Sequence, residues 1–294
     1  MPFVLGYNDR AKDAIFSGGS WLSTAPLSNV QTDDIQQAAI SSDATAASSI
    51  MNIDLGETKQ VGMFVIGPVN LTEGAGSYRI RSYTDSGYAT PVYDTGTVVI
   101  TGDVVDWSDT NDWLEWEDVN FWSGILPSSV AELPLYIIDV VPISQISETT
   151  QQWFKIELVD EDNVDGRISV GAVRLFEALR PSLNYAPDGN EFSFEWLTNV
   201  VESLGGTKKY WSRGRKRRLR VNWPLLNETE LFSDFFLVGL KSGISKQVFV
   251  VPEEDDTSDY KRRRAFLATF SQSPTIAQAA AGYGSTSFDL EEVL

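Results

Sequence analysis

The chain has 294 residues, 42% of them hydrophobic and 12% aromatic with nine Trp, ample material for packed cores and far from a disordered composition. It contains neither cysteine nor histidine, which excludes disulfides, thiolate and imidazole metal sites, thiol nucleophiles and every catalytic triad whose base is histidine. Its net charge of -18 describes a surface that repels nucleic acid and anionic membranes.

The opening segment MPFVLGYNDRAKDAIF carries acidic residues early and no long apolar run, so no secretory signal is read there. No stretch nears the roughly 20 apolar residues that span a bilayer, and the expectation is a soluble species without membrane insertion. Residues 1–180 hold 9 Lys+Arg against 26 Asp+Glu, and residues 181–294 hold 14 against 15. The charge balance changes at LRPSLNYAPDGN, residues 179–190, whose two prolines, glycine and two asparagines read as a linker. Two domains are therefore expected, 1–180 and 190–294.

In the first of these the pattern is short, β-rich and punctuated by turn residues, after a Ser/Ala/Thr-rich loop at 38–49. Strands are expected at 50–55, 61–66, 78–83, 97–101, 135–141, 153–159 and 168–176, which together suggest an antiparallel β-sandwich. In the sixth, Phe154, Ile156 and Leu158 alternate with Trp153, Lys155 and Glu157, the period of a half-buried strand.

Between the fourth and fifth strands lies DVVDWSDTNDWLEWEDVNFW, residues 103–122, where Trp107, Trp113, Trp116 and Trp122 are interleaved with seven carboxylates. Aromatic faces meet pyranose C–H faces and carboxylates accept hydroxyl protons, so this composition suits a sugar. The carboxylates could also ligate Ca²⁺, although the EF-hand order is missing, or the segment could fold back over the sandwich or meet a neighbouring subunit. The four Trp are taken as candidate ligand-binding residues, and no metal or cofactor is assigned. With 41 Asp and Glu in the chain, a pair of carboxylates at glycosidase spacing arises by chance. No catalytic residue is assigned, and the protein is read as non-enzymatic.

The second domain begins with EFSFEW and RRLRVNWPL, read as strands on either side of a turn at Gly205 and Gly206. The latter places Leu219, Val221 and Trp223 on a core face and Arg218, Arg220 and Asn222 on the other. The run 208–220, KKYWSRGRKRRLR, supplies Lys208, Lys209, Arg213, Arg215, Lys216, Arg217, Arg218 and Arg220. Such a run suits nucleic acid, plain solvation or docking against an acidic neighbour. Because the same chain carries a strongly acidic first domain, these eight residues are taken as a subunit interface, with no nucleic acid as partner. Asn227 fits a helix N-cap with Glu230 at the third helical position, and Leu231, Phe232, Phe235, Phe236 and Leu240 recur at helical spacing up to a stop near Gly243. SKQVFVVPE and RRAFLATF then return to strand, and the basic cluster 261–264 after the acidic 253–256 reads as a charged hairpin loop without a role.

Two resemblances follow from these motifs. WLSTAPLSNVQ, MNIDLGETKQVGMFVIG, SYRIRSYTDSG and QWFKIELVDEDNVDGRISVGAVRLFE resemble the discoidin (coagulation-factor type C) jelly roll, through Asp54-Leu55-Gly56, residues 83–87, and residues 153–156 with 171–175. The likeness spans most of residues 15–178 and implies a domain that binds glycans or lipids through loops at one end of the sandwich. The β-β-α-β-β order of the second domain resembles the tube-like ring domains of bacteriophage tail proteins, distal tail proteins included. That resemblance implies a virion structural protein of the tail tip or baseplate, made in the host cytoplasm. It also implies other virion tail proteins as partners and a homo-oligomeric ring, hexamer or trimer, while the first domain is displayed outward and contacts a host-surface glycan.

Overall fold

A computed structural model of the chain describes residues 2–100, 134–186, 188–202, 208–256 and 258–294. They divide into two compact units: Asp9–Ala178 with Asp255–Arg264, and Met1–Asn8 with Leu179–Glu254 and Ala265–Leu294. The first strand, β1 (Val4–Tyr7), thus belongs to the unit formed mainly by the C-terminal third, and its four buried residues give no sequence signal of that destination.

The larger unit is a β-sandwich. One layer is the antiparallel sheet β2 (Ile15–Ser17), β4 (Met51–Gln60), β10 (Thr150–Val159), β6 (Ser77–Tyr83) and β7 (Pro91–Asp94), in that spatial order, with β8 (Val98–Val99) also on β6. The facing layer sets β5 (Met63–Ile66) between β9 (Ile137–Val140) and β12 (Val173–Leu179), both antiparallel, and β3 (Ala39–Ile40) forms a short ladder with β11 (Ser169–Val170). The alternation expected in β10 is observed: Phe154, Ile156 and Leu158 are fully buried and meet Met51, Ile53, Phe64, Ile66, Val173 and Leu175 in one core fed by both layers. Every expected strand is present, the last one divided between β11 and β12. β2, β3 and β7 are additions, two of them only two or three residues long.

Arg174 ties this unit together from within. It stands on β12, is 2% exposed, and donates to the backbone carbonyls of Val30, at 2.8 Å, and Thr32, at the end of a 3-10 turn over Leu27–Gln31. Its guanidinium also lies 3.5 Å from the Asp9 carboxylate. Burial pushes the Asp9 carboxyl above its usual range, against the opposing pull of Arg174 and of the Ala11 and Leu175 N–H groups.

The smaller unit is built on an antiparallel sheet in the order β13 (Glu191–Glu202), β14 (Lys208–Asn227), β18 (Tyr283–Glu292), β16 (Phe266–Phe270), β15 (Val248–Val251) and β1, with β17 (Thr275–Ala280) on β18. Leu219, Val221 and Trp223 all face its core, as their alternation predicts, together with Phe288, Leu290, Phe266 and Val250. One helix covers that face, running through α1 (Glu228–Glu230), a π-helical turn (Leu231–Phe235) and α2 (Phe236–Ser242). Its start follows the sequence: Asn227 Oδ1 accepts from the Thr229 N–H at 2.8 Å. The capping box is not completed, because the Glu230 carboxylate turns instead to the Ser182 N–H and hydroxyl, at 2.7 and 2.5 Å. The helix ends at Gly243, whose φ of 54° suits a residue without a Cβ. Gly284 of β18 lies under its first turn, where any Cβ would run into Leu231 Cδ2.

The order β-β-α-β-β read from the sequence is present, enlarged by β1, β17 and β18. The segment expected to be a charged hairpin loop at 261–264 is the end of a helix, α3 (Ser258–Arg264), in the larger unit. There Arg262 pairs with Glu73, and Arg264 pairs with Asp256 at 3.3 Å. A solvated loop would leave these charges separate; the helix brings each to a partner.

Candidate functional site

Three of the segments that carry the discoidin resemblance meet in one row across the sandwich. Trp153 of β10 stands in register between Asp54 of β4 and Tyr83 of β6, and Asp54 is in turn opposite Ile15 of β2. The neighbouring row, Phe16, Ile53, Phe154 and Ser82, belongs to the same four strands, and Ile53, Phe154 and Ser82 are fully buried. Since successive side chains of a strand alternate between faces, the row Ile15–Asp54–Trp153–Tyr83 lies on the outer face. Ile15 is 68% exposed and Trp153 half-buried.

The loop after β6 adds a second ring to this row. Asp85 accepts from the Gly87 N–H at 2.8 Å, closing a tight turn, and Tyr88 follows with φ of 53°, a left-handed conformation that a side-chain-bearing residue rarely adopts. The turn sets the Tyr88 ring edge-on to Tyr83, with centroids 5.2 Å apart, so Tyr83 is buried beneath a half-exposed Tyr88.

Asp54 supplies the charge. Its Oδ1 accepts from Gln152 Nε2 at 2.7 Å and from the Gly56 N–H at 2.8 Å. These donors, Gln152 first, hold the carboxyl below its usual 3.8, so it is ionised at neutral pH. Burial first, and the Asp54 charge second, push the Tyr88 phenol upward, which keeps its hydroxyl protonated and able to donate. The result is a partly exposed aromatic surface around a fixed carboxylate, an amide and a phenol. That inventory can lie flat against an apolar ligand face and bond to hydroxyls at its rim.

The sequence-predicted candidates fall elsewhere. Trp107, Trp113, Trp116 and Trp122 lie outside the described residues, as does the turn expected at Gly205 and Gly206, and so does the side chain of Arg213. Lys208, Lys209 and Arg220 of β14 are exposed. Lys216 pairs with Glu291 at 2.9 Å, Arg218 lies 3.5 Å from Glu195, and the Arg215 guanidinium sits over the rings of Phe194 and Trp196. Arg217 is 1% exposed, paired with Glu292 and bonded to the Ala265 carbonyl at 3.2 Å, so its charge is used inside its own unit.

Among the described residues no group of three or more Asp or Glu is arranged to hold a metal ion. No helix among them is long and apolar enough to cross a membrane. Asp139 of β9 is a lone carboxyl raised by burial and held by the Tyr93 hydroxyl at 2.9 Å.

No family model matches the sequence, and no curated protein matches it. Among solved structures the chain is similar to three from Clostridium perfringens. One is CBM32-1 of a family 31 glycoside hydrolase, with 12% identity and TM-score 0.35 over 58% of this chain and 97% of that one. Another is the family 32 CBM of NanJ in complex with galactose, with 17% identity and TM-score 0.36 over 59% and 99%. The third is a family 89 glycoside hydrolase in complex with 2-acetamido-1,2-dideoxynojirmycin, with 12% identity and TM-score 0.36 over 57% of this chain and 14% of that one.

Proposed function

We propose that the sandwich unit is a carbohydrate-binding module whose sugar lies across Asp54, Trp153 and Tyr88. The observation that carries this reading is the row itself, in which three separate sequence segments bring two accessible rings against one ionised carboxylate. In this reading the Trp153 and Tyr88 rings take the C–H face of a pyranose. Asp54 accepts from its hydroxyls, and Gln152 and the Tyr88 phenol complete the rim. Nothing in this contact asks for bond cleavage, and a chain without histidine or cysteine has no imidazole or thiol to bring to a reaction.

A glycan array identifies the sugar, and titration of the purified protein with that sugar tests the site. Trp153→Ala is expected to weaken binding by about tenfold or more, the loss of one well-placed aromatic contact of about 1.4 kcal/mol. Trp113→Ala with Trp116→Ala serves as the comparison. If that pair loses the sugar while Trp153→Ala keeps it, the ligand is held by the 103–122 segment and the row is not the site.

A second reading, a structural part of a bacteriophage tail tip or baseplate, draws support from exposed apolar side chains on the smaller unit, among them Phe194, Trp196, Phe236 and Leu240. Fractionated virions and an antibody to the chain test that location.

A further inference from the structure

The row Ile15, Asp54, Trp153 and Tyr83 is bordered on the outer face by polar rows. On one side the next outward positions are Ser17, Asn52, Lys155, Arg81 and Asp94, and beyond them Glu157 and Arg79. On the other side Gln151 of β10 stands opposite Lys59 of β4. A single exposed isoleucine is ordinary on a protein surface, but Ile15 is 68% exposed and in strand register with the proposed site. A stripe one residue wide therefore crosses the strands from β6 through β10 and β4 to β2, apolar at Ile15 and at Trp153 with the carboxylate between them.

The two ends of the stripe differ. At β6, Tyr83 is 1% exposed beneath the edge-on ring of Tyr88, so the stripe is closed there. At β2, the edge strand of its layer, Ile15 stands open to solvent. The way out along β10 is occupied by charges that serve one another. Glu157 pairs with Arg81 and, at 3.1 Å, with Lys155, while Arg79 donates to Asp94 at 2.8 Å. A sugar chain leaving Trp153 in that direction would lie on these pairs without apolar contact, whereas one leaving across the strands passes Asp54 and meets Ile15. Neighbouring strands are about 4.8 Å apart, so β2 is about 10 Å from β10, farther than a single pyranose ring on the Trp153 indole reaches.

We infer that Ile15 is a second sugar subsite, and that the glycan recognised is a chain of at least three units that ends against Tyr88 and runs over Asp54 to Ile15. This rests on the reading of the row as a sugar site and adds the class of its ligand, an oligosaccharide or the end of a polysaccharide rather than a single sugar. The terminal unit stacks on Trp153, the middle unit offers hydroxyls to Asp54, and the third lays its C–H face on Ile15. An aliphatic side chain serves there because the contact asks only that apolar surface leave water.

The test is titration calorimetry with two probes, the methyl glycoside of the array-identified sugar and a trisaccharide whose non-reducing end is that sugar. Wild type is expected to bind the trisaccharide about fivefold or more tightly than the methyl glycoside, the effect of covering most of one isoleucine side chain. Ile15→Ser is expected to abolish this difference, with methyl glycoside affinity and thermal unfolding unchanged. Ile15→Trp, which sets a ring at the same point, is expected to widen it. Equal affinity of wild type for the two probes overturns the subsite, and leaves the sugar site standing if Trp153→Ala weakens both. A difference that survives in Ile15→Ser overturns the subsite as well, since the chain then leaves by another route. If Trp153→Ala binds both probes as wild type does, or if the array shows no sugar bound, the row itself is not the site and the subsite falls with it.

Discussion

Asp54 keeps its charge to lower pH than an ordinary aspartate, because Gln152 and the Gly56 N–H bond to the ionised form. A group with a lowered folded pKa makes its contribution in full above the usual 3.8 and loses it as pH falls through the lowered value. Sugar affinity is therefore expected to hold from neutral pH into the acid range and to decline at a lower pH than an ordinary aspartate would set, as titration at stepped pH would record. A decline that begins near neutrality would assign the interaction to another group. Arg174 answers for stability rather than binding. Arg174→Ala leaves the Val30 and Thr32 carbonyls and the Asp9 carboxylate buried without it, at a cost of about 3–5 kcal/mol in urea unfolding. Arg174→Lys is expected to recover little of this, since a single ammonium cannot reproduce a planar fork that reaches both carbonyls. A loss below about 1 kcal/mol for the alanine variant would mean that the turn at Leu27–Gln31 is held by other contacts. Arg217 marks what a run of cations hides: it is one basic residue among eight in the sequence, yet it shares the inward face with Leu219 and Val221, two and four positions on. The period that places those two in the core places Arg217 there too, with Glu292 as its counter-charge.

Among the elements, the helix of the smaller unit was legible in kind and in its start, through Asn227 and the apolar spacing. Asn227→Ala is expected to cost about 1 kcal/mol, measured by denaturant unfolding, because the Thr229 N–H loses its acceptor. Gly284→Ala is expected to cost about 1–3 kcal/mol by the same measurement, since the buried Leu231 side chain must leave its place to admit a methyl group that also crowds the Ala277 carbonyl. An unchanged midpoint for Gly284→Ala would show that Leu231 repacks without loss. The apolar positions of the helix cover too wide an arc for one sheet to bury. Periodicity names such residues without saying which half meets the sheet, and so Phe232, Phe236 and Leu240 fall outside while Leu231 and Phe235 fall inside. β18 shows the opposite difficulty. Thr286, Phe288 and Leu290 alternate inward, but glycine, serine and acidic neighbours dilute the signal. β1 carries no address at all: four apolar residues can pair with any open edge, and only the tertiary structure selects β15.

At the scale of the whole molecule, the sandwich unit holds 12 Lys+Arg against 29 Asp+Glu, and the other unit is nearly balanced. The acidity visible in composition is thus a property of the proposed binding unit. The candidate row was only partly legible, since Asp54, Tyr83 and Trp153 were each singled out as parts of short β-typical motifs. What joins them is strand register, which no single segment encodes. The measurement that tests the central claim most directly is isothermal titration of an array-identified sugar into wild type and Trp153→Ala at neutral pH. The account predicts saturable binding to wild type and a loss of about tenfold or more in the variant, with unchanged thermal unfolding. Equal affinity in the two proteins, or no sugar bound by either, would contradict it.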